Sequence, residues 1–355
     1  MIANAPVKLA FRLNLQGAAR LEVPVEMVRR AEALGYHSVW SAEAYGTDAL
    51  SPLAYLAAVT TRIKLGTAIA QLAARPPATL AMHAMTIDAL GGGDRVIIGI
   101  GVSGPQIVEG WYGQPWGRPY ARLRDYVEIT RKVLDREAPV QHDGAEISLP
   151  YRGEGALGQG KALKSILHPA SRIPIWLASG APRNTELCAE LCDGWLPMGL
   201  GPDGIARYRE PLERGFAKRG EAGPPNDFEI FTGCNVKITD DVKGALDAMR
   251  PITAMYVGGM GSETHNYHRD AMARRGFADE AQRIGELWRA GHKDEAMAAV
   301  PEAYLEQNAL VGSTERIRRR WEEGAAPEGV TGLIVGTGQV EALELLAELA
   351  GARAN

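Results

Sequence analysis

Along the chain, short runs of apolar and often β-branched residues alternate with longer stretches in which apolar positions return every three or four residues. Val7 to Leu13 predicts a first strand. Val25 to Leu34 predicts an amphipathic helix, opened by Pro24 and stopped by Gly35. Ser38 to Ser41 predicts a second strand, Pro52 to Val59 a helix, and Ile63 to Ile69 a third strand. Pro76-Pro77 opens a helix to about Leu90, and Val96 to Ile100 predicts a fourth strand. Each strand–helix unit takes about thirty residues, the size of a βα repeat.

The rhythm continues with a helix over Tyr120 to Leu134, then breaks between Ala138 and Leu167. There Asp143-Gly144 lies between short extended runs, followed by several glycines, which predicts a hairpin and a mobile loop. Strands are predicted at Ile173 to Leu177, Gly194 to Leu196, Phe228 to Val236 and Thr331 to Val335. Helices are predicted at Asn184 to Leu191, Gly204 to Arg219, from about Asp241, at Ile317 to Glu323 and at Val340 to Leu349. A second irregular segment runs from Gly258 to about Asn308, with Ala271 to Arg275 and Glu280 to Ala290 patterned as surface helices. About eight strands, each followed by a helix, predict an α/β fold, a (β/α)8 TIM barrel. The expected organisation is a single domain over residues 1–355 with insertions at about 138–167 and 258–308. No G-x-G-x-x-G motif occupies the first βα turn, which weighs against an open doubly wound sheet.

Composition narrows the function classes. The 355 residues are 46% hydrophobic and 23% charged, with a formal net charge of -4 and 6% aromatics. This is ordinary globular composition without a nucleic-acid footprint. Three cysteines, Cys188, Cys192 and Cys234, are too few for a disulfide framework and suit a reducing, cytoplasmic setting. No window has the apolar length to span a bilayer, so no membrane partner is expected. Cys188 and Cys192 share a helix spacing but lack a second ligand pair, and no metal is expected.

In a barrel the chemistry sits at the C-terminal ends of the strands. That selects Asn14 and Gln16, then Glu43 and Tyr45, then Ala68 to Gln71, then Val102 to Gly104, and finally Ser179 to Pro182. The strand Val96 to Ile100, framed by Gly91-Gly92-Gly93 and Gly101-Val102-Ser103-Gly104, reads as core with a backbone open to a ligand at its end. Glu43 and Tyr45 are candidates for proton transfer, although their local sequence favours a solvated loop. Ala178 to Asn184 reads either as an anion cradle at a helix start, with Arg183 adding charge, or as a plain N-cap. His37 and His168 fall at the far end of the barrel, His83 on a packed helix, and His265 and His268 on the surface of the second insertion.

The chain resembles the luciferase-like flavin and deazaflavin oxidoreductases, and within them the coenzyme F420-dependent group that includes methylenetetrahydromethanopterin reductase. The resemblance is carried by Ala31 to Tyr36, Ile63 to Ile69 with Arg75-Pro76-Pro77-Ala78, and Leu90 to Gly101. Ile173 to Pro182, Cys192-Asp193-Gly194-Trp195 and Ala309 to Ile317 continue it in the family's order. It implies a (β/α)8 barrel and coenzyme F420 as cofactor, with FMN as the alternative. It places a non-prolyl cis peptide at Ala68-Ile69, behind the central ring of the deazaflavin. It further implies cofactor contacts at Glu43, Gln71, Val102 and Ser103, and a phosphate held by Gly180, Ala181, Arg183 and Asn184.

Two positions depart from the sugar-phosphate-oxidising relatives. Ala44 stands where they carry histidine, and Gly104 where they carry glutamate. Sugar-phosphate oxidation is therefore not expected, and the proton falls to Glu43, Tyr45 or a residue of an insertion. The expectation is an F420-dependent hydride-transfer enzyme acting on a small-molecule substrate, as a homodimer. Tyr112, Trp116 and Tyr267 are candidate pocket walls. The alternatives are an FMN-dependent monooxygenase, a non-catalytic F420-binding barrel, and a phosphate-gripping aldolase-type barrel for which neither Lys64 nor Lys237 makes a persuasive Schiff base.

Overall fold

The computed structural model describes residues 7–15, 19–221, 223–261, 264–324 and 326–353; Gln16 lies outside the described residues. The strands in chain order are β1 (Lys8–Arg12), β2 (Ser38–Ser41), β3 (Lys64–Thr67), β4 (Val96–Gly101), β5 (Ile175–Ser179), β6 (Gly194–Pro197), β7 (Glu229–Ile238), β8 (Ala309–Gly312) and β9 (Gly332–Gly336). All but β8 form a closed parallel 8-stranded barrel. The ring closes because β7 pairs with both β6 and β9, and β9 pairs with β1. The far end of β7, Asn235 to Ile238, extends beyond the ring and pairs with β8.

Helices cover the outside of the barrel. Four of them, Ser51–Val59, Pro77–Leu90, Pro119–Asp135 and Pro182–Leu191, carry proline in the first turn. Proline fits there because that turn has no N–H partner to lose. Leu53, Leu56, Leu80, Tyr126 and Leu187 face the strands and are buried between the two layers.

The inside of the barrel is filled by a separate layer containing Trp40, Trp176 and Phe231. The ring centroids of Trp40 and Trp176 lie 5.1 Å apart, and those of Trp176 and Phe231 4.9 Å. Each ring lies opposite a glycine in the next strand: Trp40 pairs with Gly66, Trp176 with Gly194 and Phe231 with Gly332. A side chain at Gly66 or Gly194 would meet the facing indole at 2.6 Å, so large and small residues must alternate around the ring.

Two segments interrupt the repeat. The expected hairpin forms from His142–Asp143 and Ser148–Leu149, and the Asp125 carboxylate accepts from the amides of Glu146 and Ile147 at its turn. Between β7 and β8 the chain is largely helical from Val242 to Glu306, with a core that includes Leu246, Val257, Met272 and Ile284. The expected helices form, and on the second Gln282, Arg283, Glu286 and Arg289 keep an outer face exposed. Ala271 and Met272 on one helix, and Ala281, Ile284 and Gly285 on the next, are buried because the helices pack on each other and on the π-helical turn Met255–Gly259.

Candidate functional site

A cavity of about 390 Å³ opens at the C-terminal ends of the strands, floored by Phe231, Leu196 and Ile334. One wall is the chain after β3. Leu65 and Gly66 pair with Val96 and Ile97, but Ala70 and Gln71 pair with Ile100 and Gly101. Three residues therefore face two, which is a β-bulge. Thr67 bridges the gap, its hydroxyl accepting from the Gly99 amide at 2.8 Å and donating to the Gly99 carbonyl at 2.7 Å. The bulge pushes Ala68 and Ile69 into the cavity, and the peptide between them is cis, as the resemblance implied.

Glu43 lines the same cavity but is not a free acid. Its Oε2 accepts from the Gln71 amide at 2.9 Å and from Arg75 Nη1 at 3.1 Å, while Oε1 pairs with Arg75 Nη2. The Gln71 side-chain amide donates to the Glu43 carbonyl at 2.9 Å, leaving Gln71 Oε1 buried without a partner. Burial opposes the Arg75 charge, yet the Glu43 carboxylate more than offsets it and raises the Arg75 pKa. This arrangement clamps the bulge to the end of β2. Tyr45, two residues on, is half exposed, lies edge-on to Trp111 at 6.4 Å, and does not line the cavity.

The end of β4 supplies Val102, Ser103 and Gly104 to the rim. Ser103 holds a left-handed φ of 61°, a conformation seldom adopted by serine and concentrated at ligand sites. Gln106 donates to the Met260 carbonyl, tying this rim to the insertion, and its Oε1 is buried without a partner.

At the opposite end, Gly180, Ala181 and Asn184 line the cavity at the start of helix Pro182–Leu191, which has no side-chain cap. The positive end of the helix dipole, left uncapped by any side chain, makes this end receptive to an anion. The basic side chain beside it is Arg274 and not Arg183. Arg183 stacks on the Tyr120 ring at 3.8 Å and does not line the cavity. Arg274 lines it from the insertion: a Cβ at Gly180 would sit 3.3 Å from its Nη2, and its Nε is buried without a partner.

The insertion also lines the cavity with Tyr256, Met260, Tyr267 and His268. His268, expected on the surface, instead faces the cavity, its ring 4.5 Å from that of Tyr256. Burial lowers its pKa to about 4, so the imidazole is neutral at pH 7. His37 lies below the N-terminal face of the ring layer, 5.5 Å from Phe231, away from the mouth. The three cysteines are buried and unbridged. Among the described residues, no helix is long and apolar enough to cross a membrane.

Comparison with known proteins places this geometry. A family model described as luciferase-like monooxygenase matches residues 8–331. A provisionally named coenzyme F420-dependent oxidoreductase of Mycobacterium tuberculosis is 43% identical over 350 residues, covering 98% of this chain and 99% of the relative. The 5,10-methylenetetrahydromethanopterin reductase of Archaeoglobus fulgidus is 30% identical over 69% of this chain and 70% of its own. The solved structure of coenzyme F420-dependent tetrahydromethanopterin reductase from Methanopyrus kandleri superposes with a TM-score of 0.76 at 22% identity, covering 97% and 98% of the two chains, and supports the fold.

Proposed function

The chain belongs to the luciferase-like monooxygenase family, and from that premise we propose that it is a coenzyme F420-dependent oxidoreductase moving a hydride between the deazaflavin and a small organic substrate. The observation that carries the reading is the pairing of an apolar wall with an anion-receptive end in one cavity. Ala68 and Ile69 offer an apolar surface to a ring, and Arg274 stands beside Gly180 with a buried Nε that no atom of the described residues satisfies. Buried polar atoms left without partners are rare and costly, so this Nε fits the phosphate of a bound cofactor. The buried, partnerless Oε1 atoms of Gln71 and Gln106 fit hydrogen-bond donors of the same ligand.

In this reading Ala68, Ile69 and Gln71 hold the ring system, Val102 and Ser103 contact it through the backbone, and Gly180, Ala181, Asn184 and Arg274 hold the phosphate. When bound, the deazaflavin supplies the hydride carrier, and the protein supplies orientation. Glu43 acts through Arg75 and Gln71 as a positioning residue. His268 is the neutral ring able to hydrogen-bond a substrate oxygen, with Tyr256 beside it.

The test is oxidation of reduced F420 by a panel of carbonyl and alkene acceptors, followed by deazaflavin absorbance with and without air. Acceptor-dependent oxidation without oxygen uptake is expected. Oxygen uptake driven by reduced FMN would move the protein to the monooxygenase reading, and tight F420 binding without turnover on any acceptor would favour a carrier.

A further inference from the structure

A second cavity, of about 480 Å³, lies between the strand ends of β1, β7 and β9 and the helical insertion. Arg12, Tyr256 and His268 line both cavities and form their shared boundary. The lining has two chemistries. Ala245, Ala248, Met249 and Ile252 recur at helical spacing and form an apolar wall, with Ile252 half exposed. Against this wall stand the basic side chains of Arg12, Lys237 and Arg275 with the neutral imidazole of His268, and among the described residues no aspartate or glutamate lines the cavity.

Arg12 is the informative member. Its Nε donates to Asn14 Oδ1 at 3.1 Å and its Nη2 to Asn235 Oδ1 at 2.6 Å, both neutral amides. Among the described residues no carboxylate pairs with it, and burial lowers its pKa. The contrast with Arg75, neutralised by Glu43, is direct. A guanidinium taken out of water without an anion is unfavourable, and an incoming oxyanion removes that penalty. Arg275, held by Gln307 Oε1 and the Tyr304 carbonyl, lines the second cavity but not the first, which leaves Arg12 as the charged group on the boundary.

We propose that the second cavity is a substrate subsite for a carboxylate carried on an apolar chain, with Arg12 as the anion's partner at the edge of the cofactor cavity. The inference rests on the F420 reading of the first cavity. It also has a rival source of the same chemistry, the oligoglutamate tail of the cofactor.

Octanoate and octanol, which share chain length and differ in charge, are the probes. Their affinities are measured by calorimetry on the full chain with saturating F420. Octanoate is expected to bind at least tenfold more tightly than octanol, and Arg12→Gln is expected to erase that preference. Ala248→Phe, which leaves the arginine in place and fills the apolar side, is expected to weaken both probes at least tenfold. Equal affinity for the two probes in the unsubstituted protein would overturn the proposal. So would an Arg12→Gln variant that loses F420 affinity tenfold while keeping its affinity for 8-hydroxy-5-deazariboflavin, which lacks both phosphate and tail, because the anion at Arg12 would then belong to the cofactor. If the protein takes FMN and not F420, the cofactor reading fails, and the same comparison with FMN bound still decides the subsite.

Discussion

Glu43 and Arg75 form a nearly dry bidentate ion pair at the barrel mouth, with side chains only 3% and 11% exposed. The same carboxylate receives the Gln71 amide, so the pair ties the bulge after β3 to the end of β2. Removing one partner of such a pair strands a buried charge, at a cost of roughly 3–5 kcal/mol. Glu43→Ala is therefore expected to lower the unfolding free energy in urea by about that amount. Glu43→Gln, which retains one acceptor oxygen for the Gln71 amide or Arg75, is expected to lose less. An unchanged urea midpoint in Glu43→Ala would contradict the clamp.

The register of Trp40 against Gly66 makes a second prediction. Gly66→Ala places a methyl 2.6 Å from the indole, which already packs against Trp176 and Phe231. Overpacking of this kind costs about 1–3 kcal/mol. The Tm should fall in Gly66→Ala and recover in part when Trp40→Phe is added. A double variant no more stable than Gly66→Ala alone would show that the two residues do not compete for the same space.

Two buried histidines set a pH dependence. Burial holds the His268 pKa at about 4, and burial together with Lys8 and Lys64 holds that of His37 at about 3, below the ordinary 6.5. The unfolded chain therefore binds these protons first as pH falls. Stability is full above about pH 6.5 and declines progressively toward pH 4, by on the order of 3 kcal/mol for His268. His268→Gln should flatten part of that decline in thermal melts taken from pH 7 to pH 4. An identical slope in the variant would place the titration elsewhere.

The anion-receptive end of the cavity has two neighbouring arginines that the structure places differently. Arg274 lies beside Gly180, whereas Arg183 is turned onto Tyr120. Arg274→Gln is expected to weaken F420 at least tenfold and to leave 8-hydroxy-5-deazariboflavin, which lacks the phosphate, within about twofold. That contrast corresponds to about 1.4 kcal/mol or more for the charged contact. Arg183→Gln should leave both affinities within about twofold. The reverse pattern would restore Arg183 as the anchor.

The barrel was legible because its strands and helices announce themselves locally: β-branched runs such as Val96 to Ile100, and proline-led helices such as Pro77–Leu90. Strand ends then pointed to Glu43, Ala68, Ile69, Gln71, Val102, Ser103, Gly180, Ala181 and Asn184, all of which line the cavity. Arg274 and His268 escaped because they reach the mouth from an insertion that has no strand end to mark them. Only tertiary packing of the helix Tyr267–Arg274 brings them there. A signal did exist, since Ala271 and Met272 give that helix a buried face. Arg183 is the converse case: its backbone is at the helix start, but its guanidinium stacks on the aromatic face of Tyr120 and does not line the cavity.

The most direct measurement of the central claim is a side-by-side titration of the purified protein with F420 and with FMN, read by fluorescence. The account predicts saturable one-to-one binding of F420 and at least tenfold weaker binding of FMN. Preferential binding of FMN, or no saturable binding of F420, would contradict it.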